Sequence, residues 1–131
     1  MVIDDAYNAS FESVIAALKM IQNEYHSKRK MILLGDILEL GDMSHDIHYA
    51  IGKTIPTFGI DCMFLIGEMS TSVSSGAIDA GFDSNRIFPL NNLEFPIEVS
   101  EFIKSMLTED DLLLIKASHK MNLKKIAELI I

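Results

Sequence analysis

The chain has 131 residues, the length of one domain, and its 19 acidic and 11 basic residues give a formal net charge of −8. This charge argues against a nucleic-acid partner, because proteins bind the phosphate backbone by neutralising it with Lys and Arg. The single cysteine excludes an internal disulfide, and no apolar run has the length of a membrane span or the pattern of an export signal. We therefore expect a cytoplasmic protein that acts on neither nucleic acid nor membrane.

The chain begins with a short apolar segment, Val2 and Ile3, that leads into an acidic and polar stretch, DDAYN. This pattern predicts a short edge strand followed by a loop. Ser10 is a suitable N-cap for the next segment, where apolar residues recur at helical spacing and predict a helix over residues 11–26. We interpret the basic cluster at residues 28–30 as a solvated turn between that helix and the next strand.

The most informative stretch reads MILLGDILELGDMSHDIHYAIG. It predicts an apolar strand, Met31–Leu34, then a glycine-containing polar loop with Asp36 and Glu39, and then an amphipathic helix. Parallel α/β sheets bind ligands at the carboxyl ends of their strands, so these two acids are candidates for a binding site.

The amphipathic helix is predicted to be capped by Ser44 and to end near Thr54, because Pro56 would remove a hydrogen bond and clash with the preceding turn. His45 and His48 lie one turn apart, a spacing that a metal site can use. No cysteine or carboxylate with ligand spacing accompanies them. We therefore predict no metal site and interpret His48 as a packing or hydrogen-bonding residue.

The rest of the chain continues to alternate between strand and helix. Cys62 begins an apolar run and is predicted to be a buried thiol. Strands are predicted at residues 63–66, 86–90 and 110–115, helices at 68–80 and after Pro96, and a loop at 116–120 before a final helix.

This alternation through short connections predicts a three-layer, Rossmann-like α/β fold. Its sheet should be mostly parallel, with five or six strands flanked by helices. The loops after the first, second and last strands should then meet at the carboxyl edge of the sheet, where one site could use all three.

The chain contains neither a GxxxxGK[ST] phosphate loop nor a GxGxxG fingerprint. No set of Ser, His and acid residues can be placed from spacing alone. We therefore assign no catalytic residue to the chain in isolation.

Four motifs follow one another along the chain: DDAYNAS, GDILELG, GIDCMFLIGE and KASHKMNL. Together they resemble the C-terminal domain of the Mur ligases over essentially all of residues 1–131. The resemblance implies the third domain of a three-domain cytoplasmic enzyme of peptidoglycan synthesis, which joins D-alanyl-D-alanine to a UDP-N-acetylmuramoyl-tripeptide at the expense of ATP. The N-terminal and central domains would be its partners. The phosphate loop and most of the Mg²⁺ ligands would lie in the central domain, so the isolated chain would be inactive.

The resemblance also implies which residues contact the nucleotide. Asp5 matches the position that contacts the ATP ribose, and Tyr7 and Asn8 match the loop that borders the adenine. The residue types suit these roles, since a carboxylate accepts hydrogen bonds from two vicinal hydroxyls and an amide both donates to and accepts from a base edge.

The resemblance further implies an amino-substrate site. Lys116, Ser118 and His119 match the loop that faces the incoming amino substrate, and Asp36 and Glu39 match a loop that shapes the active cleft. The family usually reads KGSR where this chain reads KASH, so a histidine replaces a fixed positive charge.

Two other interpretations remain open from the residues alone. A response-regulator receiver domain has this length and alternation, and Asp4, Asp5 and Lys116 would match its acidic pair and lysine. However, the third strand ends in IGE, without the aspartate that a receiver phosphorylates. The other interpretation is a non-catalytic interaction module of the same fold, which the changes in the KASHK loop favour.

Overall fold

A computed structural model describes residues 1–6, 9–26 and 28–131. The strands are β1 (Val2–Asp5), β2 (Lys30–Leu34), β3 (Cys62–Leu65), β4 (Ile87–Pro89) and β5 (Leu112–Lys116). The α-helices of this described part are α1 (Phe11–Glu24), α2 (Ser44–Thr54), α3 (Ser70–Asp79), α4 (Ile97–Met106) and α5 (Lys124–Ile130).

The strands form one five-stranded sheet in the order β1-β5-β2-β3-β4, and each pair of neighbouring strands is parallel. This confirms the predicted α/β fold with a parallel sheet. It also confirms β1 as an edge strand. Within the described residues no helix is both long enough and apolar enough to cross a membrane.

Alternate residues of the central strands face two separate cores. On β2, Ile32 and Leu34 pack with α1, α2 and α3, while Met31 and Leu33 pack with α4 and α5. Because helices cover both faces, the strand is buried along its whole length and its sequence is a continuous apolar run. The predicted three-layer arrangement is therefore confirmed.

The ends of α1 and α2 test the helix caps and the helix end that were predicted from the sequence. Ser10 forms a capping box with Ser13 at the start of α1, as the cap prediction requires. The prediction that Ser44 caps α2 is wrong, because a 3₁₀ turn at Gly41–Met43 leads directly into the helix and makes Ser44 its first residue. The predicted end at Thr54 is confirmed, and Pro56 lies in a following 3₁₀ turn.

Helices α2 and α3 pack with their backbones in contact. A Cβ atom on Gly52 would lie 2.0 Å from the carbonyl oxygen of Val73, and one on Gly76 would lie 2.1 Å from that of Tyr49. Real Cβ atoms do not approach a backbone this closely, so both positions require glycine.

At the amino edge of the sheet, the interpretation of residues 28–30 as a solvated turn is wrong for Lys30. This residue is the first of β2 and is buried, with its ammonium 3.0 Å from the carbonyl oxygen of Lys28. Arg29 donates two hydrogen bonds to Asp111, at 3.0 and 2.6 Å. Cys62 is a buried thiol as predicted, and burial raises its pKa to about 11.

Candidate functional site

The ends of β1, β5 and β2 lie side by side at the carboxyl edge of the sheet. Asp5 is paired in register with Lys116, and Lys116 is in turn paired with Leu34. The strand ends that lead into the three predicted polar loops therefore lie together, because adjacent parallel strands end at the same edge. Tyr7 and Asn8, predicted to border the adenine, lie outside the described residues.

The neighbouring acids of β1 have different surroundings. Asp5 is in register with Lys116, which donates to its carboxylate, while Asp4 accepts from the amide of Ala6 at 3.2 Å. Asp4 and Ala6 line a surface depression of about 310 Å³ together with His119 and Lys124. Successive side chains of a strand point to opposite faces of the sheet, so Asp4 and Asp5 lie on opposite faces at the same edge.

Lys116 is a buried strand residue. The prediction that it belongs to the loop at residues 116–120 is therefore wrong. It is the last residue of β5, its side chain is only 1% exposed, and its ammonium donates to the Asp5 carboxylate at 2.9 Å. The aliphatic stem of a lysine packs like an apolar side chain, and its charge is tolerated in the interior when it is paired. The strand therefore extends one residue beyond its apolar run.

Ser118 joins the loop after β5 to the loop after β2. Its amide donates to the carbonyl oxygen of Asp36 at 3.1 Å, and its hydroxyl oxygen accepts from the amide of Leu38 at 2.8 Å. Neither bond uses the hydroxyl proton, so the hydroxyl can also donate to a third partner. Ser118 is partly exposed, so that partner can be a bound ligand.

The carboxylate of Asp36 is directed into the fold. Asp36 is buried, and its two oxygens accept from the amides of Glu68 at 2.8 Å and Met69 at 3.0 Å. These bonds hold the turn between β3 and α3. Gly67 lies in this turn with a φ of 116°, and a Cβ on it would collide with the Asp36 carboxylate.

His48 holds the same loop from the opposite side. Its Nδ1–H donates to the carbonyl oxygen of Ser44 at 2.7 Å, and its Nε2 accepts from the amide of Ile37 at 3.1 Å. These partners fix the tautomer that carries its proton on Nδ1. The interpretation of His48 as a hydrogen-bonding residue is confirmed. Over residues 1–6, 9–26 and 28–131, no three His, Cys, Asp or Glu residues are grouped to hold a metal ion.

Glu39 and Lys120 connect the two loops at the surface. Their charged atoms are 3.5 Å apart, and the side chains are 81% and 75% exposed. An ion pair this exposed contributes little free energy. Glu39 nevertheless has a φ of 66°, which turns the loop sharply at this point.

Sequence reasoning did not find Lys124. This residue is the first of α5 and lies beside His119 in the depression. The sequence around Lys124 has the ordinary apolar spacing of a helix and did not indicate a functional residue. Only the return of that helix to the end of β1 brings it to the site.

Comparison with known proteins agrees with the motifs. The family model described as "Mur ligase, glutamate ligase domain" matches residues 1–119. A UDP-N-acetylmuramoyl-tripeptide–D-alanyl-D-alanine ligase of Bacillus subtilis is 32% identical over 127 residues, which are 97% of this chain and 27% of that protein. The ligase of the same name from Buchnera aphidicola subsp. Acyrthosiphon pisum is 30% identical over 98% of this chain and 26% of its own length. The chain thus spans about a quarter of the length of these relatives.

Solved structures show the same fold. MurF from Acinetobacter baumannii superimposes with a TM-score of 0.77 at 25% identity, covering 98% of this chain and 28% of that one. MurF ligase from Thermotoga maritima in complex with ADP superimposes with a TM-score of 0.76 at 19% identity, covering 98% and 27%. These comparisons support neither the receiver alternative nor the alternative of a non-catalytic interaction module.

Proposed function

The chain belongs to the family of the Mur ligase, glutamate ligase domain, and from this we propose that it is the C-terminal domain of a ligase that joins D-alanyl-D-alanine to a UDP-N-acetylmuramoyl-tripeptide. The observation that carries the proposal is the match of nearly the whole chain to curated ligases of this name at about 30% identity. Because the chain spans about a quarter of their length, the N-terminal and central domains of the enzyme are its proposed partners. The enzyme would act in the cytoplasm, where ATP is supplied.

In the proposed reaction ATP supplies the phosphoryl group that activates the tripeptide carboxylate, and the dipeptide amine then forms the amide as phosphate leaves. This domain would contribute binding and closure over the substrates. No described residue is assigned to Mg²⁺, because no three His, Cys, Asp or Glu residues of the described part are grouped to hold a metal ion. We propose that the central domain holds that ion.

The proposed nucleotide contacts are Asp5, Tyr7 and Asn8. The Asp5 side chain is 50% exposed at the carboxyl edge, so its carboxylate can accept hydrogen bonds from the ribose hydroxyls. The solved structure of MurF ligase from Thermotoga maritima is a complex with ADP, which supports a nucleotide site in the proposed whole enzyme.

The proposed amino-substrate contacts are on the loop after β5. The Ser118 hydroxyl proton can be donated to the dipeptide carboxylate, and His119 lines the neighbouring depression with Lys124. Lys124 would supply a positive charge there. Asp36 and Glu39 would act through the loop that they hold.

The test of this assignment is Asp5→Ala in the full enzyme. We expect the KM for ATP to rise about fivefold to a hundredfold, since a charge-assisted hydrogen bond contributes roughly 1–3 kcal/mol, while the KM for D-alanyl-D-alanine changes less. Glu101→Ala on α4, which removes an exposed acid away from this edge, is the matched control. Equal effects of Asp5→Ala on both substrates would show that Asp5 only maintains the loop.

A further inference from the structure

Direct contact with a substrate does not explain why the ammonium of Lys116 is buried. The side chain is 1% exposed, so it presents almost no surface to a ligand. Burying a charged group costs free energy unless the charge is paired. A fold that needed only an apolar residue at the end of β5 would not carry this cost.

The pairing of Lys116 with Asp5 has one buried and one exposed end. The ammonium lies inside the sheet, and its partner carboxylate, 2.9 Å away on the edge strand, is 50% exposed. The two residues are register partners on adjacent parallel strands, so the backbone itself fixes the distance between them. The bond is made to Oδ2 of Asp5, which fixes the orientation of the carboxylate relative to the edge.

We propose that Lys116 is a positioning residue for the nucleotide site: it orients Asp5 toward the ribose and does not contact the amino substrate. The inference rests on the proposed function, and it replaces the role that the sequence motif implies for this lysine. Lys116 also balances the charge of Asp5. Without that balance, an unpaired carboxylate would lie near the polyphosphate of the nucleotide and repel it.

Strand β5 and the loop that follows it are also hydrogen-bonded to the loop after β2. The carbonyl of Lys116 accepts from the amide of Gly35, and two residues later Ser118 is bonded to the loop after β2. The backbone of β5 therefore supports the proposed amino-substrate loop, while its lysine side chain serves the nucleotide side. This separation predicts that removal of the side chain alone affects one substrate selectively.

The experiment uses steady-state kinetics of the full ligase with Lys116→Met, which keeps an apolar stem and removes the charge. We expect the KM for ATP to rise about tenfold, as for the loss of a charge-assisted hydrogen bond, with the KM for D-alanyl-D-alanine unchanged. Lys104→Met, on the exposed surface of α4, is the matched control for loss of one positive charge. An increase confined to the KM for D-alanyl-D-alanine would overturn the inference.

A double-mutant cycle then tests whether Lys116 acts through Asp5. In an Asp5→Asn background, Lys116→Met should add little to the KM for ATP, whereas two independent contacts would give additive effects and contradict the inference. If Lys116→Met does not fold, as judged by circular dichroism, Lys116→Gln replaces it in the same cycle with the same requirement. Absence of ligation by the unmodified enzyme would refute the proposed function, whereas an active enzyme with the wrong selectivity would refute only the role of Lys116.

Discussion

Individual side chains of the same type have very different roles in this domain, and their partners decide which. Among the aspartates, Asp36 is buried and accepts two amide hydrogen bonds, Asp5 is half-exposed and paired with a buried lysine, and Asp111 is buried and paired with an arginine. The first holds a turn, the second is available to a ligand, and the third stabilises the amino edge of the sheet.

Asp111 gives a prediction for stability against pH. Hydrogen bonds from Arg29, with further help from the amide of Thr108, lower the pKa of Asp111 to about 2 from 3.8. A pKa that is lower in the folded state stabilises the protein above the unfolded pKa, and this contribution is lost as pH falls from about 4 toward 2. We expect Asp111→Asn to lower the free energy of unfolding by about 1–2 kcal/mol at pH 7, and by less at pH 3.

Urea denaturation at the two pH values measures this difference. Asp110→Asn is the matched control, because it removes an exposed neighbouring carboxylate. A deficit of Asp111→Asn that is the same at pH 3 as at pH 7 would show that its carboxylate charge does not stabilise the fold.

Pairs of elements are joined by close backbone contact and by a few buried polar groups. Asp36 at the end of β2 binds the turn that leads into α3, and His48 of α2 binds the amide of Ile37 in the same loop. Helices α2 and α3 are in contact through Gly52 and Gly76. The loop after β2 is thus held from both sides by this helix pair, which keeps one wall of the candidate site in place.

The contact between α2 and α3 predicts that a glycine-to-alanine substitution in α3 lowers the stability of the domain. Replacing a helical glycine with alanine normally stabilises a helix by up to about 1 kcal/mol. Gly76→Ala should instead destabilise the domain by roughly 1–3 kcal/mol, because the new Cβ overlaps the carbonyl of Tyr49 and forces the helices apart. Thermal denaturation measures the effect, and Ser75→Ala at the adjacent exposed position is the control for helix propensity. A stabilised Gly76→Ala would mean that the two helices can separate without cost.

The domain considered as a unit carries part of the proposed nucleotide site and has a strongly acidic composition. Its net charge of −8 repels ATP, and it contains no phosphate loop. Adenosine contacts alone contribute only a few kcal/mol before the cost of immobilising the ligand.

We therefore expect the isolated chain to fold but to bind ATP with a Kd of about 1 mM or weaker, and to show no ATP hydrolysis. Isothermal titration calorimetry measures the affinity, and circular dichroism of the same sample verifies folding. Addition of the central domain should strengthen binding, because the two sets of contacts then act together. Micromolar binding by the isolated chain would place the nucleotide site within this domain.

The amino-acid sequence by itself determined the order of strands and helices, the three-layer arrangement and the edge at which the loops meet. These follow from local signals: apolar runs such as Met31–Leu34, the cap at Ser10 and the proline at position 56 each act on their own neighbourhood. The motifs also indicated the family, which the comparisons confirmed.

Only the tertiary structure decided which polar groups are used within the fold. Lys116 can be buried because Asp5, from the other end of the chain, lies beside it and pairs with its charge. Asp36 turns inward because its carboxylate accepts hydrogen bonds there from the amides of Glu68 and Met69. Lys124 reaches the site because α5 returns to the end of β1. The free energy of a buried charge or hydrogen bond depends on its partner, and partners distant in sequence become neighbours only when the sheet forms.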